Sequence, residues 1–181
     1  MPRLPYTNYH TPHAGPPPTL NIIKLLSHST ATVDHWTALG NAQFKHLSLA
    51  ARDRELVILL TTAKFQSTYE WTHHVPVSLK AGVTRAQQSA LEASSKTTNY
   101  FIDGKYSLEA AFSPRDLVLL TFVETIIQQP EVGDELWERV KREFSEREIV
   151  EIISLQGFYY SFSRLTTVLE CGFDEWAKSK L

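Results

Sequence analysis

Residues 49–83 read LAARDRELVILLTTAKFQSTYEWTHHVPVSLKAGV, and their spacing decides the fold class. Apolar residues recur at three- and four-residue intervals, the period of a helix, with little of the alternation that marks a strand. Two helices are predicted here, over 50–65 and 67–81, with Gly82 placed where a left-handed C-cap belongs. The second helix holds Tyr69-Glu70-Trp71-Thr72-His73-His74. At ~100° per residue, Glu70 and His74 lie about 40° apart on one face, with His73 on its flank. A carboxylate and an imidazole so placed would meet or converge on one ligand, an arrangement suited to proton transfer near neutral pH. The competing reading is an exposed pair of small energetic value. Against it, Phe65, Tyr69 and Trp71 flank the segment and would wall off water.

Working outward, the same periodicity predicts helices over 20–28, 32–47, 84–94, 113–129, 133–144, 145–158 and 159–171, an all-α protein. Ser113-Pro114-Arg115-Asp116 offers an N-cap, a proline at the first helical position and an acid in the first turn. Ser145-Glu146-Arg147-Glu148 is a capping box, Gly172 is a second candidate left-handed C-cap, and Asp103-Gly104 marks a tight turn. Arg54-Glu55-Leu56-Val57 and Ala81-Gly82-Val83 have counterparts in Arg147-Glu148-Ile149-Val150 and Cys171-Gly172-Phe173. The offset is 93 residues at the first anchor (148 − 55) and 90 at the second (172 − 82), so a degenerate repeat of a helical hairpin is expected, with the second copy three residues shorter. Residues 1–18, with Gly15-Pro16-Pro17-Pro18, cannot start a helix and are expected as an extended arm, ahead of a single domain over 19–181.

Composition narrows the function classes. The chain has 181 residues, 43% hydrophobic and 21% charged, enough for one ordinary core. Lys and Arg number 18 against 20 Asp and Glu, without a basic face, so no nucleic-acid partner is expected. One cysteine, Cys171, excludes an internal disulfide, a redox CxxC pair and a thiolate zinc site. The first 18 residues are rich in Pro and His, unlike a secretory signal, and no apolar run reaches the ~20 residues needed to span a bilayer. A cytoplasmic protein with no membrane partner is the default expectation. His10 and His13 are expected solvated in the proline-rich arm, and His28, His35 and His46 at helix ends or faces have no partner at useful spacing, so none is proposed as a ligand.

Residues 49–83 resemble the core motif of the carboxymuconolactone decarboxylase and alkylhydroperoxidase D-like family: an Arg-Glu-Leu helix start, then Tyr-Glu-Trp, a histidine three residues after the Trp, and Ala-Gly. His74, eight residues before Gly82, takes the family histidine position. Glu70 and Ser67 stand where the peroxidase branch has its two cysteines, and Glu55 stands at that branch's proton-relay glutamate. The pattern is that of the decarboxylase-type branch, and the likeness extends over 20–173, including Gly157-Phe158-Tyr159-Tyr160-Ser161-Phe162-Ser163-Arg164. In the second copy Arg164 takes the histidine place and Tyr160 the glutamate place, which implies one acid–base site per chain.

The resemblance implies an alkylhydroperoxidase D-like helical bundle and a cofactor-free lyase. Its substrate would be a small cyclic, oxygenated carboxylic acid or lactone, of the kind found in aromatic or polyketide-type secondary metabolism. His74 would be the general acid/base, Glu70 would orient it or share its proton, and Glu55 would complete the catalytic set. His73, Tyr69, Trp71 and Arg164 are the expected substrate-binding residues, with Arg164 as a carboxylate donor. His73, His74, Glu70 and Glu55 are metal-ligand types, yet the family works without metal, and neither metal nor cofactor is expected. A proton-transfer isomerase or dehydratase on the same fold is the nearest rival, and a non-catalytic ligand-binding scaffold the more distant one. A homo-oligomer, trimer or dimer, is expected because family members assemble and the arm has little to pack on within its own chain.

Overall fold

The computed structural model describes residues 1–10 and 19–175. The described residues contain eight α-helices and no strand: α1 Asn21–Leu26, α2 Val33–Lys45, α3 Ala51–Lys64, α4 Thr68–Ala81, α5 Arg85–Ala93, α6 Pro114–Gln128, α7 Asp134–Glu143 and α8 Glu146–Val168. Short 3₁₀ turns at Ser94–Lys96, which begins on the last residue of the helix expected over 84–94, and at Leu108–Ala110, where no helix was expected, fall in the long connection between α5 and α6.

α3 stands at the centre because its sequence leaves it no outside. Leu56, Val57, Ile58, Leu59 and Leu60 are consecutive and fully buried, and a helix apolar on every side must be covered on every side. α4, α5, α6 and α8 provide that cover. The predicted caps are in place: Ser113 with Asp116 and Ser145 with Glu148 form capping boxes, and Gly82 ends α4 at φ 98°. Asp103-Gly104 lies in a turn, with Gly104 at φ 66°.

Three expectations change. Residues 145–158 and 159–171 are not two helices: α8 runs unbroken for 23 residues. The reason lies in the length difference between the repeat copies. The connection between α3 and α4 is the three residues Phe65–Ser67, with Gln66 at φ 54°, and the second copy is shorter by three. Without a turn to fold it back, the second copy continues as one rod. Secondly, α8 ends before Gly172, and Glu170 takes the left-handed conformation at φ 53°. Thirdly, residues 1–10 do pack on their own chain. Arg3 N donates to the Leu169 carbonyl at 2.9 Å, the Gly172 N–H donates to Tyr6 Oη at 2.9 Å, and Thr7 Oγ1 donates to the Lys24 carbonyl at 3.1 Å. The remainder of the expected arm, residues 11–18 with His13, lies outside the described residues.

Candidate active site

Glu55 sits one turn into α3 and His74 midway along α4, two helices that pack side by side and so bring residues 19 positions apart together. Glu55 Oε2 lies 2.8 Å from His74 Nδ1, and Glu55 Oε1 accepts from Arg54 Nε at 3.2 Å. The other imidazole nitrogen, Nε2, is 3.0 Å from Tyr159 Oη, reached from α8, whose ring meets the imidazole edge-on at 89°. All three side chains are buried, Glu55 completely. We assign His74 the tautomer that carries its proton on Nδ1: a carboxylate accepts there, and Nε2 is left to accept from the Tyr159 hydroxyl. Burial, reinforced by the charges of Glu55 and Glu70, pushes the Tyr159 phenol well above its ordinary value and keeps it a proton donor. At the outer edge the half-exposed Phe44 ring lies 5.8 Å from the imidazole, and the Arg54 guanidinium sits 4.5 Å from the centroid of the same Phe44 ring.

Glu70 does not bond to His74. Its carboxyl accepts from Ser67 Oγ, and from Thr166 Oγ1 at 2.8 and 3.0 Å. Burial raises the Glu70 pKa, opposed in part by those hydroxyls. The expectation that Glu70 orients His74 is therefore corrected: side chains four residues apart on α4 are neighbours, but Glu55 faces the ring directly across the α3–α4 contact. Ser67 and Glu70 touch each other at the start of α4.

His73 turns to a different cluster. Its Nδ1 lies 2.7 Å from the Tyr69 carbonyl and its Nε2 3.0 Å from Asp174 Oδ2. Asp174 also accepts from Tyr69 Oη at 2.5 Å and from the Asn21 N–H at 2.9 Å. Burial alone would raise the Asp174 carboxyl; these hydrogen bonds outweigh it and hold the group below its ordinary value. Tyr69 and His73 thus tie the chain beyond α8 to α1 and α4. Trp71 is half-buried against the core. Arg164 is exposed, its guanidinium 5.0 Å over Phe65 and 5.5 Å over Tyr160, and it does not join the buried cluster. Five residues separate it from Tyr159, about 140° round the helix.

Two buried residues escaped the sequence reading, Tyr159 in the site and Gln43 in α2. Tyr159 had no partner within helical spacing, so nothing local marked it among the aromatics around it. Gln43 is buried in α2 with no hydrogen-bond partner for either amide atom among the described residues. A signal existed: Trp36, Gly40 and Gln43 form a stripe at helical spacing, and a glutamine at its end breaks an otherwise non-polar face. Trp36 packs on Phe158 and Phe162 of α8, and Gly40 approaches Phe158 so closely that a Cβ would meet its ring at 3.3 Å.

Residues 31–112 match the model of the Carboxymuconolactone decarboxylase family. The matched stretch covers less than half of the chain. It contains Glu55, Glu70 and His74, while Tyr159 and Thr166 reach them from α8, beyond its end. Among solved structures, the chain is similar to an uncharacterized peroxidase-related protein from Silicibacter sp. TM1040, with a TM-score of 0.71 and 17% identity over 87% of this chain and 78% of that one. It is similar also to the debrominase Bmp8, both without ligand and as a variant in complex with 2,3,4-tribromopyrrole. For each the TM-score is 0.66 and the identity 11%, over 88% of this chain and 80% of that one. At such identities the likeness is one of fold. Comparison with curated protein sequences finds no match. Among the described residues, no helix is long and apolar enough to cross a membrane, and no group of three or more His, Cys, Asp or Glu is placed to hold a metal ion.

Proposed function

We propose that the chain is a cofactor-free lyase that decarboxylates a cyclic, oxygenated carboxylic acid or lactone, with His74 as the proton-transferring group. The observation that supports this reading is the buried line Glu55–His74–Tyr159, in which each imidazole nitrogen has a defined partner. In the reaction the bond to the carboxyl carbon breaks, carbon dioxide leaves, and the electron pair falls onto a conjugated carbonyl. A proton must then reach carbon. For this step His74 first takes up a proton from solvent at Nε2, while Nδ1 stays bonded to Glu55; Nε2 then donates to the Tyr159 oxygen, and the phenol proton goes to carbon as the Nε2 proton replaces it. A concerted transfer avoids a free tyrosinate, which burial disfavours.

Thiol chemistry finds no support in the residues. Cys171 is the single cysteine, it lies beyond α8, and burial pushes its thiol up to about 12. The test is release of carbon dioxide from a panel of cyclic carboxylated lactones and keto acids. His74→Gln is expected to lower turnover by about 10² to 10⁴ while binding persists. Full activity in that variant would remove His74 from the chemistry. Product formed without carbon dioxide would turn the reading into that of an isomerase.

A further inference from the structure

Two buried contacts join α4 to α8: Glu70 accepts from Thr166 Oγ1 at 2.8 Å, and His74 Nε2 lies 3.0 Å from Tyr159 Oη. Residue numbers rise along α4 and fall along α8 between them, so the helices run antiparallel and the contacts are two rungs of one ladder. Ser163 stands between the rungs on α8, four residues after Tyr159 and three before Thr166, on the helix face that carries both. It is 1% exposed, and its hydroxyl has no hydrogen-bond partner among the described residues. A helical serine or threonine commonly turns its hydroxyl onto the carbonyl one turn back, as Ser161 does to Gly157 at 3.1 Å and Thr166 to Phe162 at 3.0 Å. Ser163 leaves its own unused. A buried hydroxyl in that state is unfavourable, and a ligand oxygen would relieve it.

We propose that Ser163 is a substrate-binding residue of the His74 site, its hydroxyl donating to the carbonyl oxygen of a planar, conjugated ring whose reacting carbon lies at Tyr159. This rests on the reading of His74 and Tyr159 as the proton-transferring pair. Ser163 is offset from Tyr159 by about 6 Å along α8, a separation that one small ring with an exocyclic oxygen bridges. At the same height Glu70 cannot donate in its place, because Ser67 and Thr166 already occupy both of its oxygens. The two ends of the ring then have separate partners. The electron pair released with carbon dioxide settles on the oxygen at Ser163, where a hydrogen bond to developing charge is worth more than one to a neutral carbonyl, and the proton arrives on carbon at Tyr159.

4-Nitrophenolate, a planar ring with charge on one exocyclic oxygen, is the probe, and nitrobenzene is the same ring without that oxygen. Titration calorimetry of the full chain is expected to show tighter binding of 4-nitrophenolate than of nitrobenzene. Ser163→Ala should lower the affinity for 4-nitrophenolate by about 10-fold or more and leave that for nitrobenzene unchanged. Since the substitution removes an unpaired hydroxyl, the variant should melt no lower than wild type. A variant that keeps the wild-type preference for the phenolate would overturn the proposal. So would one that melts well below wild type, because the hydroxyl would then be holding protein groups, and so would a wild type that binds neither ring or both alike. No turnover enters these measurements, so a failure to release carbon dioxide would remove the decarboxylase reading and leave the role of Ser163 to be judged by binding.

Discussion

Glu55 and Glu70 both lie within reach of the imidazole's surroundings, and only Glu55 bonds to it. If Glu55 holds the ring and stabilises its charged form, Glu55→Gln should lower turnover by about 10² or more, and combining it with His74→Gln should add little, since residues acting as a unit fail together. Glu70→Gln should cost less in turnover and alter stability in a definite direction. The Glu70 pKa is raised in the folded chain, so the folded state holds its proton after the unfolded state has lost it. Stability from this group is complete below the unfolded value of about 4.3 and declines as pH rises through the folded value. Glu70→Gln should therefore melt higher than wild type at pH 7, by about 2–4 °C for each ~1 kcal/mol relieved, with the gap closing toward pH 4. A gap that widens on acidification would contradict the burial argument. The sequence made part of this legible. Glu70 and His74 were visible from spacing within one helix, and Glu55 from family resemblance. Tyr159 was not, because 85 residues separate it from His74 and the packing of α8 on α4 is what joins them.

The helices themselves were readable because their ends carry chemistry of their own. Ser113, Ser145 and Gly82 announce termini through hydrogen bonds and φ values that depend on neighbours in sequence. The connection between α5 and α6 carries no such local code, and a residue of α6 organises it. Glu124, fully buried, accepts from the backbone N–H groups of Tyr100, Phe101 and Ile102 at 2.8, 2.6 and 3.0 Å, and pairs with Lys64, which also donates to the Ser94 and Thr97 carbonyls. Glu124→Ala would strand a lysine in the interior and free three N–H groups, at a cost of about 3–5 kcal/mol. Calorimetry should show a melting temperature lower by roughly 10 °C. A change of a degree or two would mean that the loop is held by other contacts. The same reasoning explains why α8 was read as two helices: the missing turn is an absence of three residues, and an absence has no periodicity to detect.

Across the whole molecule, polar contacts fasten the described ends to the bundle, with Asp174 joining α1, Tyr69 and His73. Its carboxyl is held below the ordinary value, so the stability it contributes is present above about pH 3.9 and is lost as pH falls through the lower folded value. Asp174→Asn should be less stable than wild type at neutral pH, and the difference should shrink in acid; a constant difference from pH 7 to pH 3 would show that the charge is not what matters. His73→Gln should behave as a milder form of the same change, with turnover reduced far less than by His74→Gln. A last consequence comes from Ser67 and Glu70, two oxygen-bearing side chains that touch each other beside a site with no sulfur among its bonded groups. Such a site offers peroxide and alkylating agents no thiolate to attack. Oxidative stress that silences thiol enzymes should pass this one by: hydrogen peroxide or iodoacetamide should leave turnover within a small factor of untreated protein, and Cys171→Ser should make no difference to that tolerance.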